Sequence, residues 1–161
     1  MSTTPVLAET PADLKALLMP GQRLLGIDLG EKTLGLAISD PRLVLASPRQ
    51  TLRRGRLRDD AAKLAAMVAA DAIGGVVIGL PVNMDGSEGP RCQASRAFAG
   101  NLYAILGLPT LLWDERLSTR AVERLMIEQG DVSRRRRAAA VDSLAAAYIL
   151  QGVLDALQPP A

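Results

Sequence analysis

The sequence predicts an α/β domain built on a mixed β-sheet with helices on both faces. Three observations predict it. Two short apolar runs, Leu24 to Gly30 and Thr33 to Asp40, are split only by Gly30-Glu31-Lys32, which reads as a β-hairpin. The unbroken apolar run Val76-Val77-Ile78-Gly79-Leu80 is typical of a strand buried on both faces. From there on, strands alternate with helical stretches, giving the order βββαβαβα and a final helix. A chain of 161 residues, 48% of them apolar, suits one domain with a real core.

Residues 1–22 read as an N-terminal extension, and 23–158 as the domain. Thr10-Pro11-Ala12-Asp13 caps a short helix through Leu18, with Thr10 as N-cap and Pro11 in the first turn. The hairpin follows, then a third short strand from Leu43 to Pro48. An arginine-rich link, 53–58, leads into a helix from Asp59 to Ile73, which Gly74-Gly75 stops. Val76 to Leu80 is the fourth strand. A loop from Pro81 to Pro90 precedes a helix from Arg91 to Leu106, and Pro109 to Trp113 gives the fifth strand. Ser118 caps a helix ending at Gly130. The last helix runs from Ala138 to Leu157, and Pro159-Pro160 forbids its continuation.

Composition removes several chemistries. There is no histidine, so a Ser–His–Asp triad and a histidine base are excluded. The single cysteine, Cys92, allows neither an internal disulfide nor a thiolate zinc site within the chain. No apolar stretch reaches the roughly 20 residues that span a bilayer, and no signal pattern opens the chain, so a cytoplasmic protein without a membrane partner is expected. Chemistry must rest on carboxylates, hydroxyls, amines, or a hard cation such as Mg²⁺ or Mn²⁺. The net charge is only +2, but arginines cluster at 53–58 and at Arg134, Arg135, Arg136 and Arg137. Such clusters match phosphate oxygens or form a solvated face. Four aromatics are too few for base stacking along a strand to dominate binding.

Three carboxylates stand out. Asp28 ends an apolar strand, where a buried charge needs a metal, a cation or hydrogen bonds; otherwise it is a solvated strand end. Glu115, in Asp114-Glu115-Arg116, lies at a strand's carboxyl end, where α/β sites form and where solvated loops are also common. Asp142 is the only charged residue between Ala138 and Leu154, on a helix apolar enough to be buried. It is a site residue, a salt-bridge partner or a solvent-facing exception. Three convergent acids can hold two divalent cations for phosphodiester hydrolysis. On the second strand Thr33, Gly35, Ala37 and Ser39 form a face of small residues, open to nucleic acid or to a packed helix. The four-arginine run opposes the dipole at the start of the last helix and reads as a phosphate-gripping segment or a solvated loop.

These residues resemble the YqgF/RuvX family, named as Holliday junction resolvases and pre-16S rRNA nucleases. Four blocks carry the resemblance: Gly26 to Asp40, Gly79 to Glu88, Asp114 to Thr119 and Val141 to Ala146. It covers roughly Leu24 to Asp155. It implies an RNase H-like fold with a five-stranded mixed sheet, and a metal-dependent nuclease with Asp28, Glu115 and Asp142 as the acidic site. The implied role is trimming the 5′ end of the small-subunit rRNA precursor in the cytoplasm, with ribosomal particles as possible partners. Junction resolution is the alternative, and would need a homodimer where an RNA trimmer would work as a monomer. Thr33 departs from the arginine usual in the family, which weakens a phosphate role there. Lys32, Asn83 and Arg116 are the other candidate substrate contacts; Asp85-Gly86 reads as a turn.

Two other classes remain. The stretch Asp28 to Gly35 also resembles the phosphate-binding hairpin of actin-like phosphotransferases, but these need a second half-domain for which the chain offers no room. A non-catalytic rRNA-binding module would use the arginine clusters and leave the acids structural.

Overall fold

A computed structural model describes residues 7–117 and 134–159, apart from the side chains of 117 and 134–141. The elements are β1 (Leu7–Ala8), α1 (Pro11–Ala16), β2 (Arg23–Leu29), β3 (Thr33–Ser39), β4 (Ala46–Arg53), α2 (Leu57–Asp71), β5 (Ile73–Leu80), α3 (Pro90–Leu106), β6 (Thr110–Asp114), a 3-10 turn (Glu115–Leu117) and α4 (Arg134–Leu157). The expected helix from Ser118 to Gly130 lies outside the described residues.

The sheet has six strands in the order β1-β6-β5-β2-β3-β4, one more than expected. The additional strand is β1, in the N-terminal extension, which pairs in parallel with β6 through Leu7↔Thr110 and Ala8↔Leu111. Two residues are too few to show a period of two, so nothing in the sequence announces it. β2–β3 and β3–β4 are antiparallel, while β2–β5 and β5–β6 are parallel. A mixed sheet of this kind must be covered on both faces. On one side α2 and α3 bring Leu64, Phe98 and Leu102 against Leu25, Ile27 and Ile78. On the other, α1 and α4 bring Leu14, Ala146, Leu150 and Leu154 against Leu24, Ala37, Val77 and Leu111. Each fully buried leucine contributes about 1.5–3 kcal/mol relative to exposure.

Thr10 caps α1 as expected, its hydroxyl accepting from Asp13 N at 3.1 Å. The third strand starts later than expected, at Ala46. Asp40 accounts for the delay. Its carboxylate accepts the backbone N–H groups of Val44 at 2.8 Å and Leu45 at 2.9 Å, folding 40–45 into a loop. The glycines 74 and 75 do not stop α2; Ala72 does, in a left-handed conformation at φ 53°. Both glycines belong to β5, where their lack of a side chain admits α1. A Cβ on Gly75 would sit 2.9 Å from Leu24 Cδ2 and 3.1 Å from Leu14 Cδ1.

Candidate active site

Side chains alternate across a strand, so Leu24, Gly26 and Asp28 face α4 together. On β3 the face of small residues, Thr33 to Ser39, points the same way and receives α4. The sheet is open at two places beside Asp28. Gly35 is its direct partner on β3, and a Cβ there would run into the backbone carbonyl of Asp142. On the other side, β5 pairs Ile78 with Ile27 and next presents Gly79. A Cβ on Gly79 would lie 2.5 Å from Glu115 Oε1 and 2.5 Å from Ile149 Cδ1. Two glycines thus clear the space into which α4 brings Asp142 and the turn after β6 brings Glu115.

Asp28 and Glu115 share a hydrogen bond. Burial, the charge of Asp28 and that bond push the Glu115 carboxyl up to about 7. Glu115 therefore holds the shared proton and donates it to Asp28. Burial also raises Asp28; the bond from Glu115 opposes this, the charge of Asp142 adds to it, and the Arg91 guanidinium relieves it. Asp142 accepts the Thr33 hydroxyl at Oδ2, at 2.7 Å. Thr33, set aside as a departure from the family pattern, thus orients the third acid.

The donors are hard carboxylate oxygens, and the Asp28–Glu115 contact is one that a bound divalent cation would relieve, so the residues fit such a group. Asp28 and Glu115 are already in contact and Asp142 acts on Asp28 through its charge. Among the described residues, though, no group of three or more acidic or cysteine side chains is arranged so that it could hold a metal ion, so the expected meeting of Asp28, Glu115 and Asp142 around a shared ion is not seen.

The other candidates are placed more loosely. Arg116 is engaged by Asp114, with Nη2 to Oδ2 at 2.6 Å and Nε to Oδ2 at 3.0 Å. Asn83 donates from Nδ2 to Ser87 Oγ at 3.1 Å and helps hold its own loop, whose turn is closed by Asp85 and by Gly86 at φ 89°. Lys32 is exposed on the hairpin turn. The run Arg134 to Arg137 forms the start of α4, which begins four residues before the expected Ala138; its side chains lie outside the described residues. Sequence reasoning missed Arg91, which lies in the first turn of α3 and acts on both Asp28 and Glu115, and the space-making role of Gly79.

A family model described as "RuvX: Holliday junction resolvase" matches residues 22–156. The chain belongs to the RuvX family. A Rhodospirillum rubrum protein named "Putative pre-16S rRNA nuclease" is 58% identical over 140 residues, covering 87% of each chain. One of the same name from Paramagnetospirillum magneticum is 56% identical over 151 residues, covering 94% of this chain and 96% of its own. The fold is like that of Thermus thermophilus RuvC solved in complex with a Holliday junction, at TM-score 0.54 and 15% identity, over 80% of this chain and 91% of that one. It is also like the large terminase nuclease of phage G20c, at TM-score 0.51 and 15% identity, over 81% and 83% of the two chains. The architecture is RNase H-like, as these neighbours show, and RuvX membership makes the chain a hydrolytic nuclease. No helix among the described residues is long and apolar enough to cross a membrane.

Proposed function

We propose that the chain is a divalent-metal nuclease that processes the 5′ end of the pre-16S rRNA precursor in the cytoplasm, on ribosomal particles or free precursor. The observation that carries the reading is the Asp28–Glu115 contact with Asp142 alongside, all at the carboxyl ends of parallel strands or the helix over them. The substrate follows the name shared by relatives that align over most of their length.

Asp28 would hold both of two Mg²⁺ or Mn²⁺ ions, with Glu115 and Asp142 each holding one. Such ions supply an activated water and stabilise the leaving oxygen of a phosphodiester. The chain's own residues do the rest. Gly35 and Gly79 set the separation of the acids, Thr33 fixes the rotation of Asp142, and Arg91 offsets the negative charge gathered around Asp28. The proton on Glu115 must leave before its carboxylate can take a cation, so the affinity of the metal-free protein for the cation should rise with pH up to about 7.

The test is an Mn²⁺-dependent cleavage assay on precursor rRNA, a four-way DNA junction and duplex DNA. Asp28→Asn should lower cleavage at least about 10²-fold, the scale of losing one group that stabilises transition-state charge, with the fold unchanged. Equal cleavage by a rigorously purified Asp28→Asn variant removes the mechanism. Preference for the four-way junction would shift the reading to junction resolution, which the family description and the RuvC-like fold favour.

A further inference from the structure

We propose that the cleft between the β2–β3 turn and α3 is a backbone-phosphate site for the nucleic-acid strand, with Arg54 and Arg91 as its cations. This rests on the nuclease reading of the adjacent acids and adds to it where the strand is gripped. The cleft is lined by Gly30, Glu31, Arg54, Arg91, Ala94 and Ser95, among others. Leu29 and Gly30, the two residues directly after Asp28, are part of its lining. At about 70 Å³ it is open and far smaller than the roughly 300–1,000 Å³ of an enclosed small-molecule pocket. A single phosphate of a strand crossing the surface fits that description.

The two arginines reach the cleft from different elements. Arg54 comes from the end of β4 and is held in place from both sides. Its Nη1 donates to Gly30 O at 2.7 Å and its backbone N–H to Lys32 O at 2.8 Å. The following residue, Gly55, donates its N–H to both oxygens of Asp60, at 3.1 and 3.2 Å. Asp60 is only 3% exposed, so a buried carboxylate fixes the link that carries Arg54. One of five guanidinium N–H donors is used on Gly30, and among the described residues the rest meet no hydrogen-bond acceptor, which leaves them to an anion. Arg91 lies in the first turn of α3, which has no side-chain cap. It is exposed, yet near enough to Asp28 and Glu115 to lower the proton affinity of both. A phosphate held by both arginines would sit next to the acids without touching them. Ala94 and Ser95 keep the α3 wall low, and the charge of Glu31 leaves the cleft net positive.

The experiment is equilibrium binding of a fluorescein-labelled stem-loop RNA with a single-stranded 5′ tail, followed by anisotropy across a salt series with divalent cations chelated. The double variant Arg54→Gln/Arg91→Gln should bind at least about 10-fold more weakly. Its slope of log K against log salt should fall by about 1.4–1.8, the loss of two phosphate contacts. The double variant Arg54→Lys/Arg91→Lys should keep the wild-type slope, because charge sets it. Affinity and slope of the Gln variant within about twofold of wild type would overturn the site, as would a Lys variant that falls as far as the Gln one or a wild-type protein that does not bind. The nuclease reading fails on a different result, the absence of metal-dependent cleavage by the wild type, and arginine-dependent binding can persist without cleavage.

Discussion

Asp114 and Glu115 are neighbours in the chain and opposites in their surroundings. Asp114 is met by Arg116 in a bidentate pair, and that bond holds its carboxyl below the usual range. Glu115, one residue on, turns under the sheet edge to meet another acid, and its carboxyl rises to about 7. The arginine beside them neutralises the residue that points to solvent and leaves the one that points inward facing Asp28. Under the proposed nuclease reading, that difference makes Glu115 the functional group and Asp114 part of the local scaffold.

The two glycines beside Asp28 separate stability from function most sharply. Gly35→Ala pushes against the Asp142 backbone, which belongs to a packed helix and cannot step aside. It should cost about 1–3 kcal/mol in urea denaturation, the usual penalty of overpacking. Gly79→Ala meets the ends of two side chains, Glu115 and Ile149, which can swing away. It should cost less stability than Gly35→Ala but lower cleavage, because the side chain that moves is Glu115. A Gly79→Ala variant with wild-type turnover would show that the Asp28–Glu115 contact is incidental.

The pH dependence of stability tests the raised Glu115 carboxyl directly. An unfolded glutamate titrates near 4.5, and this one near 7 when folded. Between those values the folded chain keeps a proton that the unfolded chain has released, so raising the pH favours unfolding. The contribution is complete below 4.5 and lost as pH rises through about 7. The lowered carboxyls of Asp40, Asp85, Glu88 and Asp114 act the other way, and theirs is lost only as pH falls below their ordinary values. The metal-free protein should therefore show a falling Tm across this window, and Glu115→Gln should flatten it. A Tm that stays level in the wild type would mean that the acid pair is not strained.

The parts of this arrangement differ in how far they can be read from residues alone. Asp28 and Asp142 are legible because each interrupts an apolar run, and a charge in such a place needs a reason. The face of small residues on β3 is legible as a place of close approach, though only the packing shows that a helix takes it. Gly79 looks like any glycine in a buried strand until Glu115 is seen above it. Gly74-Gly75 misleads in the opposite direction: paired glycines after a helix usually end it, yet here they make room for Leu14 and Leu18 while Ala72 does the stopping. Arg91 reads as the first turn of a helix, and only the fold brings that turn beside the acids. Such contacts join residues far apart in sequence, so no local pattern encodes them.

The smallest effect is also the most specific. The negative charge of Asp114 contributes to raising Glu115, behind burial and Asp28. Asp114→Asn removes that charge and should move the Glu115 midpoint down, whether it is followed by the pH dependence of Tm or by carboxyl NMR. Arg116→Ala removes the cation that offsets Asp114 and should move the midpoint up. Neither change should alter the Tm much at a pH well below the window, because an exposed ion pair contributes little to stability. Opposite signs from two substitutions in one ion pair are hard to produce by distorting the turn, which would shift Glu115 the same way in both. A shared direction would therefore mean that the pair acts on Glu115 by shaping the backbone, and that the two neighbouring acids are not electrostatically linked.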